Sequence, residues 1–200
     1  MEYTLKNCIN SKGKTFSGLY EIEPHIFSDS RGLFLEVYNE KDFFSDKLTY
    51  KFIQDNFSRS KQNVIRGLHY QKKHSQAKLI HLTHGKIYDL AIDLRNESET
   101  FGSYYGTILD AEKHNMLYIP KGFAHGFVVL SDYADTLYKC SDFYQPDDEA
   151  GIIWNDNNLS INWKDFINED NILLSDKDKK YPSFDCSKKY FDMTGEWIGE

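Results

Sequence analysis

Runs of five to ten residues, rich in apolar and β-branched side chains and separated by Gly, Asp, Asn and Ser, recur through the middle of this chain. They are "LYEIEPHIF" (19–27), "LFLEVY" (33–38), "VIRGLHY" (64–70), "AKLIHLTHG" (77–85), "KIYDLAIDL" (86–94), "YYGTIL" (104–109), "MLYIP" (116–120), "AHGFVVL" (124–130) and "DTLYKCSDFY" (135–144). Short strands at such spacing predict an all-β sandwich or barrel. No strand–helix alternation suggests a parallel sheet. Helix is scarce: "EKDFFSDKL" (40–48) predicts a short one. Beyond Asn155 the chain turns polar and reads as loop with a turn or two of helix. The chain reads as one domain, 1–200, with an N-terminal arm (1–16) and a C-terminal extension (184–200). Tyr190, Phe191 and Trp197 in that extension dock on the barrel or on a partner, or belong to a disordered tail.

Two hundred residues suffice for one domain with a sizeable core. Aromatics at 16 %, 14 Tyr and 14 Phe among them, suit a sheet protein or a ring-stacking pocket. A formal net charge of -7 argues against general nucleic-acid binding, so an anionic ligand would need a local basic pocket. Cys8, Cys140 and Cys186 form no paired spacing and no Cys-x-x-Cys, which points to a reducing compartment rather than a disulfide framework. No stretch resembles a signal peptide or a membrane span. The cytoplasm is the expected location.

Within "NVIRGLHYQ" (63–71), strict alternation would put Arg66 and His69 on opposite faces of a strand. Glycine inside a strand usually marks a bulge or a close backbone approach. A bulge near Gly67 would turn both side chains into one cavity. His125 in "GFAHGF" has the same glycine-punctuated setting. A metal site is disfavoured, because Gln71 stands where a His-x-His pair would continue and His81 and His84 fall on opposite faces. Arg31, Arg66 and Lys78 lie beside strand-like sequence; gathered at a barrel mouth they would suit a diphosphate. Gln54 and Asn56 share a face by period two. Tyr138 and Tyr144, six apart, would share one if Ser141-Asp142 does not break the strand; one would then be an acid and the other a stacking platform.

Taken in order, "FSDSRGLFLEVYN", "FIQDNFSRSKQNVIRGLHYQ", "QAKLIHLTHGKIYDLAIDLRNESETFG", "YIPKGFAHGFVVLSDYADTLYKCSDFYQPDDEAGIIWND" and "LSDKD" resemble the dTDP-4-dehydrorhamnose 3,5-epimerase family. The resemblance implies a cupin jelly-roll barrel with a few short helices. It also implies a homodimer that needs no cofactor or metal and acts on a nucleotide-diphosphate 4-keto-6-deoxy sugar. Carried onto matching motifs, the proton acceptor is His69, the proton donor Tyr138, and the carboxylate that pairs with the base Asp178. Arg31, Glu36, Gln54, Asn56, Arg66, Lys78, His125, Glu149 and Lys177 match substrate contacts, and Tyr144 the ring that stacks on the base. Three departures stand out. The segment between His69 and Lys78 is one residue shorter, Lys121 replaces a common acidic residue, and nothing after Ser183 matches a motif.

These residue types suit the chemistry. A ketone at C4 acidifies the C–H bonds at C3 and C5, and the carbanion is held as an enolate. An imidazole with an ordinary pKa near ~6.5 is an available base, and a carboxylate fixes its tautomer. A phenol near ~10 stays protonated and can deliver a proton to the other face. Lys78 or Arg66 would stabilise the enolate oxygen. Rival readings are a 3-epimerase or 5-epimerase alone, a 3,4-ketoisomerase, a sugar-binding barrel without catalysis, and a metal-dependent oxygenase.

Overall fold

In the computed structural model, which describes residues 2–43, 47–167 and 169–200, short antiparallel strands dominate. They are β1 (Tyr3–Ile9), β2 (Thr15–Pro24), β3 (Phe27–Asp29), β4 (Gly32–Phe34), β5 (Gln54–Lys61), β6 (Ile65–Gln71), β7 (Lys78–His84) and β8 (Lys86–Asp93). After them come β9 (Tyr104–Asp110), β10 (Met116–Ile119), β11 (Phe123–Val129), β12 (Tyr133–Cys140) and β13 (Glu149–Gly151). One turn of helix, α1 (Glu40–Phe43), lies between β4 and β5. A six-stranded sheet in the order β1-β2-β10-β7-β12-β5 faces a five-stranded sheet in the order β13-β6-β11-β8-β9, and β3 with β4 forms a separate hairpin. This is the expected jelly roll.

Alternation explains how three apolar layers come from two sheets. Ile80, Leu82, Leu117 and Ile119 join Ile87, Ala91 and Phe127 between the sheets. Their neighbours Leu79, Met116 and Tyr118 face outward, where Phe43 and Leu48 cover them. On the other sheet, Leu68, Tyr70, Leu90 and Ile92 face outward beneath Trp163, Phe184, Tyr190 and Phe191. Strands buried on both faces read as near-continuous apolar runs, as "KIYDLAIDL" does.

Several boundaries differ from the sequence reading. The N-terminal arm contains β1, whose alternation is interrupted by a bulge between Asn7 and Ile9. The expected strand at 33–38 stops at Phe34, because Tyr38 leaves the ladder to pack on Phe43 and Phe52 at 5.2 and 5.7 Å. Of the helix expected over 40–48, Glu40–Phe43 is helical, residues 44–46 lie outside the described residues, and 47–48 are not helical. β12 ends at Cys140, where Ser141 Oγ accepts a bond from the Ala77 amide at 2.8 Å. Tyr144 therefore does not continue the strand that carries Tyr138. Among the described residues beyond Asn155 the helix amounts to two 3₁₀ turns, Glu169–Asn171 and Asp178–Lys180. Among the described residues no helix is long and apolar enough to cross a membrane.

The C-terminal extension docks on the barrel. Phe191 is fully buried, 5.8 Å from the Tyr70 ring and 5.3 Å from Trp197, and Asn96 bonds the backbone at Lys188, Tyr190 and Phe191. Phe191→Ala is expected to lower stability by about 3–5 kcal/mol in urea unfolding, since it opens a cavity behind the strand that carries His69.

Candidate active site

Gly67 has φ +129°, and a Cβ there would meet Gly126 Cα at 2.5 Å and the His125 carbonyl at 2.8 Å. Only glycine allows β6 and β11 to approach this closely. The ladder shows the consequence. His69 pairs with His125 and Arg66 with Phe127, so β6 advances three residues while β11 advances two. The extra residue turns Arg66 and His69 into the same cavity of about 250 Å³, as the parity argument required.

The cavity opens between the two sheets. His69 and His125 line it from the five-stranded sheet; Asn56, Lys78 and Tyr138 line it from the six-stranded one. Tyr144 and Glu149 complete its rim. His69 Nε2 donates to Asp178 Oδ1 at 2.7 Å, and Asp178 is 3 % exposed. With Nε2 engaged, Nδ1 is the ring nitrogen left to act as base. Across the cavity, burial pushes the Tyr138 phenol up to about 12, against a hydrogen bond with Ser58 at 2.7 Å and the charge of Arg66. The phenol is thus kept protonated at neutral pH.

Burial lowers the pKa of Lys78, opposed by Cys140, Glu149 and Asp89. His125 Nε2 donates to Asp89 Oδ1 at 2.6 Å; Asp89 is fully buried, and burial raises its pKa against the pull of His125 and Lys78. Arg66 Nε is anchored on Ser60 Oγ at 2.9 Å. Lys177 and the hydroxyls of Tyr144 and Tyr181 all donate to Glu149, whose Oε1 lies 4.0 Å from His69 Nε2. Burial alone would raise the Glu149 pKa, but these donors outweigh it and bring it down to about 2. A depressed carboxylate adds stability above its unfolded pKa and loses it as pH falls through the folded one. Glu149→Gln should therefore be less stable than the parent at neutral pH. In urea unfolding the gap should close between about pH 4.5 and about pH 2.

Not every residue anticipated from the sequence meets this cavity. Gln54 stands behind the rim, donating to Asn56 Oδ1 at 3.0 Å and accepting from the Tyr144 amide at 3.1 Å. Lys177 and Asp178 line an adjoining cleft that shares Arg66 and His69 with the main cavity. Arg31 lies elsewhere, on the exposed β3–β4 hairpin, where it is paired with Asp29. Glu36 accepts a bond from Asn39 Nδ2 at 3.0 Å and does not line the cavity.

Sequence reasoning also missed residues. Ser58 shares the period-two face of Gln54 and Asn56, so extending that pattern would have found it. Asp89 was signalled by a carboxylate inside an apolar run. Tyr181, whose ring lies 5.6 Å from that of His69, carried no signal. Among the described residues no three His, Cys, Asp or Glu side chains gather in metal-binding geometry.

A jelly roll with a carboxylate-paired histidine on one sheet and a partly buried phenol on the facing sheet has the frame of an acid–base isomerase. Similarity to known proteins specifies which kind. The dTDP-4-dehydrorhamnose 3,5-epimerase family matches residues 14–185. The epimerase of that name from Pseudomonas aeruginosa is 48 % identical over 168 residues, covering 82 % of this chain and 91 % of that protein. A crystal structure of the Elizabethkingia anophelis epimerase is 46 % identical with a TM-score of 0.83, covering 92 % of this chain and 97 % of that one. The Legionella pneumophila dTDP-6-deoxy-D-glucose-3,5-epimerase, solved in complex with dTDP-4-keto-L-rhamnose, is 42 % identical with a TM-score of 0.81, covering 91 % of this chain and 93 % of that one. The chain belongs to the dTDP-4-dehydrorhamnose 3,5-epimerase family.

Proposed function

We propose that this protein converts dTDP-4-dehydro-6-deoxy-D-glucose to dTDP-4-dehydro-L-rhamnose by inverting C3 and C5 through an enolate, for deoxysugar and cell-surface glycan biosynthesis. The observation that carries the mechanism is the cavity shared by Asp178-paired His69 and the Tyr138 phenol, supplied by facing sheets. His69 Nδ1 removes the proton on one face, and Asp178 stabilises the imidazolium that forms. Lys78 balances the charge that develops on the C4 oxygen. Tyr138 returns a proton on the opposite face. Arg66 binds the diphosphate, Lys177 and Glu149 hold the sugar end, and Tyr144, 45 % exposed at the rim, stacks on the base.

Proton NMR in deuterated water, using chelator-treated protein and that substrate, tests this reading. Deuterium is expected at both C3 and C5. Activity lost on chelation and restored by added metal would overturn a cofactor-free mechanism, and label at one carbon alone would make the protein a mono-epimerase.

The protein works in the cytoplasm as a homodimer. Its three cysteines are free, which suits a reducing compartment. The β3–β4 hairpin exposes Phe27, Leu33 and Phe34, and a second copy covering it would bring Arg31 to the partner's substrate. Sedimentation at the mass of one chain would overturn the dimer.

A further inference from the structure

Gln71 follows His69 by two positions on β6 and lines the same cavity, yet it is 5 % exposed and no step of the chemistry uses it. Its amide is occupied by backbone. Nε2 donates to the His74 carbonyl at 2.9 Å and to the Phe143 carbonyl at 3.3 Å, and Oε1 accepts from the Gln145 amide at 2.6 Å. Both N–H groups of the side chain are therefore committed, and none is left to offer a ligand. The position at which a His-x-His pair would continue serves here to hold a loop.

That loop carries Tyr144. Residues 143–147 are exposed and β12 has ended at Cys140, so neither burial nor a sheet ladder fixes the path of the chain there. Glutamines hold its backbone instead. Gln76 Nε2 donates to the Asp142 carbonyl at 2.8 Å, and Gln54 Oε1 accepts from the Tyr144 amide at 3.1 Å. Gln71 takes the carbonyl before Tyr144 and the amide after it. Of these three glutamines it is the one that brackets the ring, and it does so from the strand that carries His69. The bond from the Tyr144 hydroxyl to Glu149 fixes the tip of the ring, not the backbone beneath it.

We propose that Gln71 is a positioning residue for Tyr144: its amide holds the loop on both sides of the ring in the free protein, so the rim is ready to stack on a nucleotide base. A loop that orders only on binding subtracts its lost entropy from the affinity, whereas one ordered beforehand does not. Without the Gln71 amide, two carbonyls and one N–H lose this partner, and the loop is free to leave the cavity mouth. The inference rests on the reading of Tyr144 as the ring that stacks on the base.

Calorimetric titration of the full-length protein with thymidine diphosphate, and with inorganic pyrophosphate as a probe that lacks the base, tests it. Gln71→Met keeps the length of the side chain and removes its hydrogen bonds. It is expected to weaken thymidine diphosphate about tenfold, within the worth of stacking one base on an aromatic ring, and to leave pyrophosphate as in the parent. KM for the sugar nucleotide should rise by a like factor with most of kcat kept. In a Tyr144→Ala background, itself weakened, the same substitution should have little further effect, because no ring remains to be placed. A full tenfold loss in that background would overturn the inference and make Gln71 a ligand contact or a support of the whole cavity. So would equal losses for the two probes, or a fall in kcat at unchanged KM. Should Gln71→Met not fold, amide hydrogen exchange of the parent decides: the Tyr144 and Gln145 amides are expected to be protected before nucleotide is added, and rapid exchange there overturns the preformed rim. Parental binding of thymidine diphosphate by Tyr144→Ala would fail the stacking reading and this inference with it, a pattern distinct from the others.

Discussion

His69→Ala is expected to lower deuterium exchange at both C3 and C5 by about 10²–10⁴-fold, the usual worth of a general base. The size follows from the pairing. Asp178 is almost fully buried and its Oδ1 is 2.7 Å from Nε2, so this imidazole is oriented by a group that also stabilises its charged form. Alanine removes the base and leaves Asp178 without that partner. Asp178→Asn should fall in the same direction with the ring retained, because the neutral amide cannot balance the imidazolium. Exchange rates read from the loss of the C3 and C5 proton signals check both. Near-parental exchange in His69→Ala would transfer the role of base to another group, with Glu149, 4.0 Å from Nε2, the nearest carboxylate after Asp178.

The two-sheet architecture was legible because most strands carry an unbroken pattern of apolar residues. β1 escaped because its bulge shifts the period between Tyr3 and Cys8, and because an edge strand pairs on one side only. The bend at Gly67 was legible from parity: a strand that places Arg66 and His69 together must gain a residue, and glycine is where the partner backbone closes in. Pairings across long separations were a different matter. His69 meets Asp178 across 109 residues, and Ser58 meets Tyr138 across 80, contacts set by topology rather than by local period. Resemblance to a family supplied Asp178, and period two could have put Ser58 on the face of Asn56, whereas Tyr181 needed coordinates. Arg31 marks the converse limit. Its motif is recognisable, yet the chain leaves it on an exposed hairpin away from its own cavity.

Tyr138→Phe is expected to separate exchange from inversion. Phenylalanine keeps the ring packed against Phe127 and His125 and removes only the hydroxyl that bonds Ser58. With His69, Asp178 and Lys78 intact, the enolate still forms and its proton still equilibrates with solvent through the imidazole. Reprotonation then comes from the face where the proton left, so the recovered sugar carries deuterium with its original configuration. Inversion should drop by about 10²-fold or more, while exchange falls by much less. The measurement is one NMR series in deuterated water that follows label and configuration together. Equal losses would mean that the phenol is needed to make the enolate, as a donor to the C4 oxygen, and the division of roles between the two sheets would be wrong. Undiminished inversion would mean that water or another side chain protonates the far face. Burial holds the Tyr138 pKa at about 12, so the hydroxyl stays protonated throughout the neutral range.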